Sequence, residues 1–291
     1  MRLYPLINNW FDGGREVCES FLTPVPVETW ILRWPSKEEV SSNPNSIHVL
    51  YLTFEPRRYK AVDLQAVFDD YDRVDYIFDY DRDIIKRCPN AIKTLGCYSY
   101  INKEQWSAFR NKKKNFSVSY VCTNKADTDN QRLRQVLWHD QHLIQGTPKR
   151  FFNSTRMPMT EDYGRPSIPD SHEGKDMMFS SMFSIAIEND TDYDFFSEKL
   201  IDCFATKTVP IYIGCPNIGD YFDTDGIIVA KSEQEVIDIC NSLSPKMYQE
   251  RIAAINRNHR LCKPFIGDVS ARIRKTVKDN LFPDFVFDEY E

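Results

Sequence analysis

Residues 183–214, FSIAIENDTDYDFFSEKLIDCFATKTVPIYIG, most narrow what this chain can fold into. Phe183, Ile185 and Ile187 alternate with Ser184, Ala186 and Glu188, which is the period of a strand. Ser197 suits the N-cap of a helix whose first turn holds Glu198 and Lys199. Leu200, Ile201, Cys203 and Phe204 then give an apolar face at helical spacing. Val209 to Ile213 is a short apolar strand that stops at Gly214. Strand, loop, helix and strand in that order make a βαβ unit. Such a unit puts the loop and the helix start at the carboxyl edge of a parallel sheet, where open α/β sheets bind ligands. A helix start beside a lysine suits a phosphate, and a carboxylate there suits ribose hydroxyls.

The rest of the chain repeats the alternation. In the first half, strand-like runs fall at about 2–7, 27–34, 47–54 and 74–79, with helical stretches at 61–71 and 81–87 and a further strand at 92–95. Residues 105–115, QWSAFRNKKKN, read as a linker in which Lys112, Lys113 and Lys114 are a solvated connector. A second series follows: strand 116–122, helix 130–143, a long polar loop at 153–173, helix 174–182, the βαβ unit, strand 226–230, and helices near 232–243, 245–262 and 267–279. This predicts α/β architecture with parallel, doubly wound sheets and two domains, 1–110 and 111–291. At 291 residues the length fits two domains of about 100–200 residues each.

The net charge of −6 gives no sign of a nucleic-acid coat or a polybasic membrane anchor. The apolar run at the start is too short for a signal peptide, and no stretch approaches the ~20 apolar residues of a membrane span. The expectation is a cytoplasmic protein, bacterial or viral in type, with no transmembrane segment. The eight cysteines contain no CxxC pair, so free buried thiols are expected rather than zinc ligands or disulfides.

The pairs and triplets in the βαβ segment also carry a resemblance. Glu188-Asn189, Ser197-Glu198-Lys199 and Val209-Pro210-Ile211 followed by Gly214 resemble the signature of the α1,3/4-fucosyltransferase family: an EN pair after a strand, a TEK or SEK triplet opening a helix, and a VPxxxG strand end. Two further segments match. Phe54-Glu55-Pro56 stands where the family's first-domain strand ends in a glutamate, and Val74 to Asp79 resembles its DYxxxFD run. Val118 to Asn124 followed by Arg132-Leu133-Arg134 resembles a strand ending in SN with an arginine at the next helix. The likeness spans roughly 47–230, densest over 183–230.

The resemblance implies two Rossmann-like domains facing a cleft, the GT-B arrangement. It implies inverting transfer of a sugar from a nucleoside diphosphate donor, GDP-fucose first, to a hydroxyl of a glycan acceptor. Inverting transfer needs a base for the acceptor proton, and Glu55 is the candidate; the alternative is a surface pair with Arg57 or Arg58. Arg132 and Lys199 would neutralise the diphosphate, with Arg134 the competitor of Arg132. Glu198 would hold the ribose, and Glu188 and Asn189 would shape the pocket near the sugar. Asn124 and Ser197 are secondary candidates. Loop 153–173 is a candidate to order on donor binding.

The departures are Met182 in place of a lysine, Phe195 in place of an aromatic hydroxyl, and Ser197 in place of threonine. They keep open a different donor such as UDP-xylose, and a non-catalytic module that binds nucleotide or glycan. Four DxD-type triplets, at 79–81, 127–129, 190–192 and 223–225, read as surface loops of an acidic chain. His139 and His142 lack an evident third ligand. The expectation is therefore no cofactor and catalysis without a metal.

Overall fold

The computed structural model describes residues 15–18, 25–60, 62–169, 172–267 and 269–283. The expected strand at 2–7 and most of the aromatic, acidic C-terminal tail lie outside these. The chain divides into two compact units. One holds the residues up to Gly96 together with the last helix, and the other is Cys97–Gly267.

The first unit is built on β1 (Arg15–Cys18), β2 (Val27–Ile31), β3 (Ile47–Tyr51), β4 (Tyr76–Asp79) and β5 (Ala91–Lys93). β1 is antiparallel to β2, and β2 to β5 are parallel in chain order. Three helices punctuate them: α1 (Lys37–Ser41), α2 (Leu64–Asp69) and α3 (Arg82–Arg87). Ser36, Asp63 and Asp81 cap them by accepting amide protons of the first turn. Trp30, Leu50, Leu52, Val67, Val74, Ile77 and Ile84 form the core.

The second unit begins with α4 (Lys103–Phe109), where a linker was expected. Asn102 and Gln105 close a capping box there, and Phe109 is buried. Lys114 is no solvated connector either. Its ammonium is buried and donates to the Phe179 carbonyl and to Thr208 Oγ1 at 2.8 Å. Burial pulls its pKa well below the usual lysine value. Lys112 and Lys113 are exposed, as expected.

The sheet of this unit comprises β6 (Asn115–Cys122), β7 (Lys149–Ser154), β8 (Ser167–Ile168), β9 (Ser181–Ile187), β10 (Val209–Ile213) and β11 (Ile228–Val229). Its helices are α5 (Asp129–His139), α6 (His172–Met178), α7 (Glu198–Ala205), α8 (Glu233–Ser242), α9 (Pro245–Glu250) and α10 (Ile252–Leu261); α11 (Val269–Leu281) belongs to the first unit. The spatial order is β11-β10-β9-β6-β7-β8, all parallel. From β6 the chain winds outward to β8, returns to β9, and winds the other way to β11. This is the doubly wound dinucleotide-fold order, and its switch point lies between β6 and β9.

β9 alternates as the sequence predicts, yet Ser184 and Ala186 are buried along with Phe183, Ile185 and Ile187. Parallel strands in the middle of a sheet are covered on both faces, so the smaller residues pack too. The long loop at 153–173 is shorter than expected. β7 extends to Ser154, β8 pairs at Ser167–Ile168, and α6 starts at His172. Asn153 holds the turn by exchanging hydrogen bonds with both backbone groups of Met159, at 2.8 and 3.1 Å.

Candidate functional site

Two loops leave the carboxyl ends of β6 and β9 and enter α5 and α7. The second carries most of the predicted residues. Ser197 is the N-cap of α7, its Oγ accepting from the Lys199 amide at 3.3 Å. Glu188, at the end of β9, is fully buried and accepts the Ser197 amide at 2.9 Å and the Ser197 hydroxyl at 2.5 Å. The hydroxyl thus donates to a carboxylate while it accepts from the helix. Lys199 Nζ donates to Glu198 Oε1 at 2.7 Å and reaches Ser197 Oγ at 3.3 Å.

Burial pushes the Glu188 carboxyl up, with Lys199 as the main opposing influence. For Lys199, burial acts downward, but the carboxylates of Glu198 and Glu188 outweigh it and hold the ammonium above its usual value. Gly214 owes its place to this arrangement. A Cβ there would lie 2.5 Å from Glu188 Cγ and 2.5 Å from the Tyr212 hydroxyl.

The first loop meets the second through α5. Thr128 caps α5 in a capping box with Gln131 and donates its hydroxyl to the Asn189 carbonyl. Arg134 Nη2 donates to Asn189 Oδ1 at 2.9 Å, and Asn130 donates to the Thr191 hydroxyl at 3.1 Å. Asn189 is therefore held at both its backbone and its side chain. The Arg134 charge is also felt at Lys199. The switch point gathers the cations of Arg134 and Lys199, the carboxylates of Glu188 and Glu198, and two helix N-termini, whose dipoles favour an anion.

The structure places the two candidate arginines differently. Arg134 is 7% exposed and sits in this cluster. Arg132, its side chain 51% exposed, folds back on its own turn, to the carbonyls of Ala126 and Asp127 and the carboxylate of Asp129. Helical spacing carries the signal that separates them. Gln131, Arg134, Leu137 and Trp138 share the buried face of α5, and Arg132 points away from it. The reading also missed Thr128, whose T-x-x-Q spacing marks a capping box. Asn124 is exposed, and its amide donates to the Met157 carbonyl at 3.0 Å.

Glu55 lies in the loop after β3, in the first unit, and is half-buried. The Tyr80 hydroxyl donates to its carbonyl at 2.9 Å. Arg57 pairs with Asp81 at 3.2 Å and Asp83 at 2.5 Å.

The residues set aside in the sequence have local partners. Asp79 is bound by Lys60, Asp129 by Arg132, and Asp223 by Arg257; Asp190 accepts the Thr191 amide at 2.9 Å. Among the described residues, no group of three or more His, Cys, Asp or Glu is placed to hold a metal. His139 Nδ1 meets the Tyr163 hydroxyl at 2.7 Å. Met182 sits at the amino end of β9, packed on the core, and Phe195 is buried.

No family model and no curated protein matches this sequence. Solved structures do match its fold. HepE of Anabaena in complex with UDP-glucose is 9% identical, with a TM-score of 0.55 over 86% of this chain and 78% of that one. TarM is 8% identical, with a TM-score of 0.51 over 81% of this chain and 50% of that one. An α1,3-fucosyltransferase with GDP is 14% identical, with a TM-score of 0.48 over 81% of this chain and 77% of that one. The likeness is one of fold: mixed α/β with parallel, Rossmann-like sheets.

Proposed function

We propose that this chain is an inverting glycosyltransferase that moves a sugar from a nucleoside diphosphate donor, GDP-fucose first, to a glycan hydroxyl. The observation that carries the reading is the convergence of Lys199, Arg134 and the N-termini of α5 and α7 at the switch point of the second unit. In such a reaction the acceptor oxygen bonds to the anomeric carbon as the bond to the diphosphate breaks. The leaving diphosphate takes the electron pair and gains charge. Fixed cations and amide groups aimed at that charge lower the barrier.

Lys199 and Arg134 take the diphosphate in this reading, rather than Arg132. Glu198 holds the ribose. Glu188 and Asn189 shape the sugar side of the pocket by fixing Ser197 and Arg134. Glu55 accepts the proton of the acceptor hydroxyl. The cations supply the neutralisation, so the reading needs no metal, and transfer is expected to survive excess EDTA.

A uridine donor is the second reading, because HepE has this fold and is in complex with UDP-glucose. A thermal-shift panel of GDP, GDP-fucose, UDP and UDP-glucose separates the two. A ligand at 100 times its dissociation constant adds about 2.7 kcal/mol of stability. A shift with the guanosine ligands supports the first reading, and a shift with only the uridine ligands selects the second. No shift with any of them refutes the nucleotide site.

A further inference from the structure

The triplet Asp79-Tyr80-Asp81, set aside as a metal motif, holds the loop that carries Glu55. β3 and β4 are parallel neighbours, so the loops that follow them leave the same edge of the first sheet. Three contacts join these loops. Lys60 Nζ sits on both carboxylate oxygens of Asp79, and both side chains are essentially buried, at 1% and 0% exposed. The Tyr80 hydroxyl donates to the Glu55 carbonyl at 2.9 Å. Arg57 reaches Asp81 and Asp83. The parts also brace one another. Asp79 Oδ1 accepts the amides of Tyr80 and Asp81, at 2.6 and 3.0 Å, and Lys60 Nζ lies 4.4 Å from the centre of the Tyr80 ring.

A buried ion pair is a poor way to gain stability, because desolvation offsets most of its attraction. An ion pair adds a fixed direction and distance. We propose that Lys60, Asp79 and Tyr80 are positioning residues that fix the Glu55 backbone, and so its carboxylate, for proton abstraction from the acceptor.

The inference rests on the transferase reading, and the test separates the two. Turnover is measured on the full chain as hydrolysis of GDP-fucose, or of UDP-glucose if the uridine ligands are selected, with water as the acceptor. The expected result is that Tyr80→Phe lowers kcat about tenfold, leaves the KM for the nucleotide sugar within about twofold, and displaces the acid limb of the pH profile. In a Glu55→Gln background the same change costs nothing further, since it acts through Glu55. The paired change Lys60→Met with Asp79→Asn removes the ion pair but keeps an oxygen for the Tyr80 and Asp81 amides, and is expected to lower kcat in the same way. Wild-type kcat and pH profile in both variants, with Glu55→Gln impaired, overturn this inference alone. An equal loss from Tyr80→Phe with and without Glu55 also overturns it, because the role is then general stability. No wild-type turnover of any nucleotide sugar overturns the transferase reading and this inference with it.

Discussion

Ser197 shows how much one hydroxyl can be made to do when it lies between a buried carboxylate and a helix start. It fixes Glu188 on one side and the first turn of α7 on the other. Charge-assisted hydrogen bonds contribute roughly 1.5–3 kcal/mol. Lys199→Met and Arg134→Met are therefore each expected to weaken binding of the stabilising nucleotide about tenfold to a hundredfold by calorimetry, and Arg132→Met to leave it unchanged. Gly214→Ala forces a methyl against Glu188 and Tyr212 and is expected to cost about 1–3 kcal/mol in urea denaturation. His259 gives the stability a pH dependence. It stacks on Trp106 at 4.9 Å and faces the Phe204 carbonyl, and burial pushes its pKa down to about 4. The unfolded chain, with a histidine near 6.5, binds the proton first. Stability is then complete above about pH 6.5 and falls as the pH drops toward 4, by at most about 1.4 kcal/mol per unit. His259→Gln is expected to flatten that part of the denaturation-versus-pH curve. The positions of Glu198 and Lys199 in the first turn of a helix were legible in the sequence, since a cap and a triplet are local. The burial of Arg134 and the exposure of Arg132 were present in the helical period, while the resemblance put Arg132 first and Arg134 as its competitor.

α5 and α7 do their work at their first turns. Thr128 both caps α5 and donates to the Asn189 carbonyl, so it joins the element to its neighbour. Thr128→Ala is expected to cost about 1 kcal/mol as a lost cap and to weaken nucleotide binding as well, while Thr128→Ser recovers both. Denaturation midpoints and nucleotide titrations check the two halves separately. Where element boundaries were misread, the cause was tertiary. Residues 105–115 look polar and basic, but Trp106 donates to the His259 carbonyl and Phe109 is buried, which makes a helix of an apparent linker. The loop at 153–173 looked long because β8 is two residues, too short to show a period. The βαβ segment was legible because strand, cap, helix face and strand end all agreed.

Across the molecule, the seven described cysteines other than Cys18 are free and buried. They are expected to stay unreactive to a thiol reagent in the native chain and to titrate together in guanidinium, which an Ellman assay reads directly. Among the described residues, no helix is long and apolar enough to cross a membrane. The packing divides the chain at Gly96–Cys97 and returns the last helix to the first unit, whereas the sequence reading divided it once, at 110. A composition shift marks where a chain turns polar. It carries no information about a C-terminal helix that packs with strands more than 170 residues earlier. By itself the sequence determined what short-range chemistry determines: the alternation of strands and helices, the cap at Ser197, the apolar strands and the EN and SEK groups. Strand order was left to the tertiary structure, because a period of two says that a strand is paired but not with which partner. That order makes β6 and β9 neighbours, and so it brings Arg134 to Asn189 across 55 residues of chain. Burial was decided there too, and with it the charge balance of Glu188 and Lys199, which depends on what surrounds them rather than on what precedes them in the chain.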